Sequence, residues 1–189
     1  MPTQQLRELM TARAQAAQSV TAEVSSLEDA LRYAAELTLS LGGTTVAAAG
    51  FHAETLEVFK AFLGGEPSFA ALRLLEPPFR EQLSGIHTAL TPADWGVAET
   101  GTLVLDSTSE DLRIATMLSE VHVAVLPLDR LRPDTAAVEG ELRGLQEAPP
   151  RYLAFISGAS RTADIERVLT IGVHGPQALH ILFMEGSLS

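Results

Sequence analysis

Three short segments hold the residues whose types and spacing suit chemistry. In the first, residues 156–166 (ISGASRTADIE), an apolar run delivers the chain into a loop of Ser157, Gly158, Ala159 and Ser160, and a helix is expected over roughly 162–170. A strand, a small-residue loop and a helix start make an anion site. The free N–H groups of a first helical turn and the helix dipole attract negative charge, and Ser160, Arg161 and Thr162 add donors at the same place. The segment has neither the GxxxxGK[ST] of a phosphate loop nor GxGxxG. The same residues also suit a plain helix start, with Ser160 or Thr162 as cap and Arg161 paired to Asp164 or Glu166.

The second segment is AETG, residues 98–101. Glu99 stands in a corner between two strand-like runs, where a carboxylate can serve as base or nucleophile, and Gly101 permits close backbone approach. The plainer reading of the same letters is a turn whose Glu99 is solvated or accepts backbone N–H bonds. Thr100 and Thr102 add hydroxyls without completing a triad. The third segment, residues 172–176 (GVHGP), holds His174 between glycines, as a ligand, a proton carrier or a structural histidine. The five histidines (52, 87, 122, 174, 180) show no HxxxH or HxH spacing, so no metal site is read. His122 interrupts an apolar strand and suits a hydrogen-bonded core position. Arg113, on the helix after the AETG strand, either faces the same cleft or is solvated.

Elements of the right kind surround these segments. Leu6, Leu9, Met10, Ala14 and Ala17 recur at helical spacing, and the alanine-rich face suggests a loosely held arm. Ser25 and Glu28 form a capping-box pattern ahead of a second helix that ends at Gly42-Gly43, which makes residues 1–42 a helical N-terminal part. Strands are expected at 44–49, 70–75, 85–90, 102–105, 121–126, 152–156 and 179–183. Helices are expected at 54–63, at 134–146, and from a Ser107–Glu110 cap to about 118. Strands alternating with helices of about ten residues predict an α/β fold with a largely parallel central sheet, in one domain over 1–189. Such sheets hold ligands at the carboxyl ends of their strands.

Composition removes several function classes. Thirteen basic against twenty-four acidic residues give a net charge of −11, the wrong sign for a nucleic-acid binder. The chain has no cysteine, so it forms no disulfide, has no cysteine nucleophile and holds no cluster through cysteine ligands. No apolar run reaches the ~18 residues of a membrane span, and the first residues lack an apolar signal core. A cytoplasmic protein is expected.

Residues 94–107 (DWGVAETGTLVLDS), 113–131 (RIATMLSEVHVAVLPLDRL) and 156–183 (ISGASRTADIERVLTIGVHGPQALHILF) together resemble the LUD-domain family of lactate utilization protein C. Residues 1–84 share only its general pattern. Two positions depart from it. Leu118-Ser119 stands where the family commonly has Leu-Pro, and Ala159 stands where it has the proline of Ser-Gly-Pro-Ser. Neither change removes a polar group, so both bear on loop rigidity.

The resemblance implies a three-layer α/β domain similar to the ribose-5-phosphate isomerase and CoA-transferase group. It also implies a part in oxidising L-lactate to pyruvate beside an iron–sulfur subunit and a cysteine-rich subunit. On that basis Ser157, Gly158, Ser160, Arg161 and Thr162, with Thr100, Gly101 and Arg113, are expected to bind a small anionic metabolite. Glu99 or His174 is expected to take a proton. The competing expectations are a standalone CoA-transferase-like or sugar-phosphate isomerase-like enzyme using Glu99, and a non-catalytic subunit that supports its cluster-bearing partners.

Overall fold

A computed structural model of the chain describes residues 1–146, 151–162, 170–171 and 175–186. The N-terminal part is not purely helical. Helix α1 (Thr3–Ala16) is followed by strand β1 (Val20–Val24), and only then by α2 (Leu27–Ser40). Nor is α1 a loose arm: Leu6, Met10 and Ala14, four residues apart, form its buried face, and Met10 is fully buried. A buried methionine alone contributes roughly 1.5–3 kcal/mol. The cap of α2 lies one residue beyond the expected pair, since Ser26 Oγ accepts the Asp29 N–H at 3.0 Å.

The chain continues through β2 (Thr45–Ala48), α3 (Ala53–Gly65), β3 (Arg73–Leu75), β4 (Thr88–Pro92), β5 (Trp95–Val97) and β6 (Thr102–Asp106). Next come α4 (Glu110–Leu118), β7 (Val121–Pro127), β8 (Leu131–Arg132), α5 (Thr135–Gln146) and β9 (Leu153–Ile156). The short strands β10 (Arg161–Thr162) and β11 (Thr170–Ile171) precede the last strand, β12 (Ala178–Met184). Six strands form one parallel sheet in the order β1-β12-β7-β4-β2-β3. A second sheet, β8-β5-β6-β9, contains the AETG corner as the turn of the antiparallel β5–β6 pair.

Alternation along the parallel strands divides the core into layers. On β7, Val121, Val123 and Val125 face α2 and α3, where they meet Leu31, Ala34, Phe59 and Leu63. Ala124 and Leu126 face the other way, onto α1, α4 and the second sheet, with Met10, Leu103, Leu105 and Leu112. The fold is therefore a three-layer α/β sandwich. Helix α5 covers the outer face of the second sheet, where Val138 packs with Trp95, Val97 and Val104.

The expected cap of α4 also differs. Ser109 holds the N-cap position, while the Ser107 hydroxyl donates to the Tyr152 carbonyl at 2.9 Å and ties the β6 exit to β9. The largest correction concerns the helix expected after the 157–160 loop. Arg161 and Thr162 are extended and pair antiparallel with Ile171 and Thr170, so the loop leads into a strand and not into a first helical turn. Residues 163–169 lie outside the described residues.

Candidate functional site

The AETG corner and the 157–160 loop meet through hydroxyl groups. Thr100 Oγ1 lies 2.7 Å from Thr102 Oγ1, which lies 2.7 Å from Ser157 Oγ. Thr102 is buried, whereas Thr100 and Ser157 are exposed on either side of it. The 157–160 loop in turn meets the third segment: the Ser160 N–H donates to the Pro176 carbonyl at 2.9 Å, and Gly175 packs on the Ser160 side chain.

The last turn of α1 roofs this junction. Gly101 and Gly158 both have positive φ, +67° and +79°, and each turns its missing side chain toward α1. A Cβ on Gly101 would stand 2.5 Å from the Ala14 nitrogen, and one on Gly158 would collide with the Ala17 carbonyl oxygen. Glycine is required at both positions for conformation and for space. Arg161 reaches the same turn, its Nη2 donating to the Ala17 carbonyl. A cation at a helix C-terminus satisfies an orphan carbonyl and complements the dipole. In this structure Arg161 thus caps the end of one helix and does not stand at the beginning of another.

The place of this cluster in the sheet departs from expectation. Ala17 leads into β1, and Gln177, just before β12, donates its N–H to the carbonyl of Glu120, just before β7, at 2.7 Å. The three segments therefore gather at the amino ends of the parallel strands. At the carboxyl ends of β1 and β12 lies a separate cavity of about 320 Å³, lined by Glu23, Val24, Ser25, Leu128, Phe183 and Glu185, and none of the candidate site residues among those described borders it.

The remaining candidates divide. Glu99 is exposed at the corner, and its N–H donates to the Pro133 carbonyl at 3.0 Å. Arg113 is held elsewhere: its Nη1 donates to the carbonyls of Ser107 and Thr108 at 2.6 and 2.8 Å, and its guanidinium lies 5.2 Å over the Tyr152 ring. Those partners are at the far end of β6 from Thr102, so Arg113 braces a turn away from the corner. Thr162 lies in β10, and His174 lies outside the described residues. His122 is fully buried, and its Nε2 is 2.9 Å from Thr91 Oγ1; burial pushes its pKa down to about 4, so the ring is neutral. Among the described residues no three His, Asp or Glu side chains are grouped as metal ligands, and no helix is long and apolar enough to cross a membrane. Thr102 carries no local signal of its bridging role. A threonine inside a strand is common, and nothing local shows that its hydroxyl bridges to a residue 55 positions away.

Comparison with known proteins agrees with this architecture. A lactate utilization protein C from Halalkalibacterium halodurans is 40% identical over 99 residues, which is 51% of this chain and 43% of that protein. Another, from Deinococcus radiodurans, is 33% identical over 110 residues, 57% of this chain and 51% of that protein. The chain spans about half the length of the curated relatives it matches. A crystal structure of a DUF162 family protein from Deinococcus radiodurans has the same fold, with a TM-score of 0.63 at 19% identity, covering 97% of this chain and 99% of that one. The model of the LUD domain family matches residues 7–184, nearly the whole of the α/β sandwich, and the chain belongs to that family.

Proposed function

We propose that this chain is a component of an L-lactate oxidation system and holds a small carboxylate anion where the AETG corner meets the 157–160 loop. The observation that carries the site is the Thr100–Thr102–Ser157 hydroxyl chain, which makes two segments distant in sequence into one polar surface. The likeness to proteins named lactate utilization protein C supports the substrate.

Oxidation of L-lactate to pyruvate removes two electrons and two protons. These 189 residues contain no cysteine, so a cysteine-held acceptor lies outside them, and an iron–sulfur subunit acting with a cysteine-rich subunit meets that need. This chain supplies binding and proton handling. A guanidinium has five N–H donors, and the bond to Ala17 uses one of Arg161's, so the same side chain can hold the helix end and grip a carboxylate. Ser157 and Ser160 add donors beside it. Glu99, exposed at the corner, is the proton acceptor among the described residues, with His174 as the second candidate from the sequence.

The test is lactate-dependent reduction of an artificial acceptor by the complex assembled with Arg161→Ala. Loss of turnover by tenfold or more is expected, and unchanged turnover would contradict the anion assignment. The exposure of Glu99 also suits an acyl-accepting nucleophile, the competing reading. A covalent adduct on Glu99 after incubation with acetyl-CoA would favour that reading.

A further inference from the structure

We infer that Thr102 is a positioning residue that sets the direction of a reversible hydroxyl relay, letting one site accept both a 2-hydroxy acid and its 2-oxo product; this rests on the carboxylate site proposed above. The geometry is a chain of three hydroxyls with two oxygen–oxygen contacts of 2.7 Å, in each of which either atom can be the donor. Three hydroxyls carry three protons, and the two internal bonds use two of them. The described residues offer the buried Thr102 hydroxyl no other acceptor, so it donates to one neighbour, and the proton left over points outward at the Ser157 end or at the Thr100 end but never at both.

The two directions answer two kinds of ligand. When Ser157 faces a ketone oxygen, which only accepts, the relay runs from Thr100 through Thr102 to Ser157 and its spare proton meets the ligand. When Ser157 faces an alcohol that donates, each hydroxyl turns round and the spare proton emerges at Thr100, next to Glu99. Thr102 is the buried middle member, with Thr100 and Ser157 exposed to either side of it. The outer hydroxyls can find water, whereas the direction is coupled between them only through Thr102.

Calorimetric titration of L-lactate and pyruvate against five proteins tests this: wild type, Thr100→Val, Thr102→Val, the double variant and Thr102→Ser. Without the Thr100 hydroxyl, Thr102 has Ser157 as its acceptor, so Ser157 is held as an outward donor and the 2-oxo acid is favoured. The expected result is a pyruvate-to-lactate affinity ratio raised about fivefold in Thr100→Val, the worth of one hydrogen bond. In the Thr102→Val background Thr100→Val is expected to leave the ratio unchanged, and Thr102→Ser to behave as wild type. A purely structural Thr102 would lower both affinities together and leave the ratio alone. Wild-type binding of both acids with no change of ratio in Thr100→Val would overturn the relay and leave the carboxylate site standing. Wild-type binding of neither acid would overturn the site and the relay with it.

Discussion

Gly158 and Ala17 are in direct backbone contact, the glycine turning its side-chain position onto the helix-end carbonyl that also receives Arg161. The end of α1 is therefore a structural part of the junction between the loops. Gly158→Ala combines a φ of +79° with a collision against backbone that cannot rotate away, and a loss of about 2–4 kcal/mol is expected. Gly42→Ala is the control: φ is +78° with nothing within 4 Å of the new Cβ, so only about 1 kcal/mol of backbone strain is expected. Thermal unfolding of the two variants gives the comparison. Equal losses would show that α1 does not press on the loop.

Stability is expected to fall on mild acidification through His122. The folded state holds this ring neutral with a pKa of about 4, against 6.5 unfolded, so between those values the unfolded chain binds the extra proton. The contribution is fully present above pH 6.5, is lost as pH falls, and is exhausted below about 4, roughly 2–3 kcal/mol going between pH 7.5 and 4.5. His180, also lowered by burial, acts in the same sense, while Asp94, raised by burial, acts in the opposite one. Urea unfolding at the two pH values, for wild type and His122→Gln, cancels those common terms. An equal acid loss in both proteins would rule out His122 as its source.

Ser119→Pro is expected to stabilise the chain. Ser119 ends α4 with φ −72° and ψ 151°, angles that proline adopts, and its buried Oγ has no hydrogen-bond partner among the described residues. The substitution removes an unsatisfied hydroxyl and restricts the unfolded chain, together worth about 0.5–1.5 kcal/mol. A rise in Tm of about 2–5 °C checks it. A fall would mean that the Ser119 N–H or hydroxyl makes a contact that matters.

Much of the parallel sheet was legible because β2, β7 and β12 are short apolar runs bounded by glycine, proline or polar residues. Strand β1 was not. Val20 and Glu23 are exposed and Thr21, Ala22 and Val24 only partly covered, so VTAEV at the sheet edge shows neither a continuous apolar run nor strict alternation. The chemical segments were found by their glycines and hydroxyls, and Thr100, Ser157, Gly158, Ser160 and Arg161 do lie around one junction. Their geometry was hidden for a physical reason. The pairing of β10 with β11 and the arrival of α1 at Gly101 and Gly158 are contacts between distant parts of the chain, and local capping signals at Ser160 and Thr162 carry no information about them. Arg113 was misplaced because sequence alone does not show which end of β6 a side chain on α4 will reach.

The most direct measurement is a calorimetric titration of L-lactate into the purified wild-type chain and into Arg161→Ala. The guanidinium is exposed, so its loss should shift Tm by no more than about 3 °C. The account predicts saturable binding by the wild type and affinity weakened at least tenfold in the variant, the cost of an ionic hydrogen-bonded contact. Equal affinity in the two folded proteins, or no binding by the wild type at millimolar lactate, would contradict it.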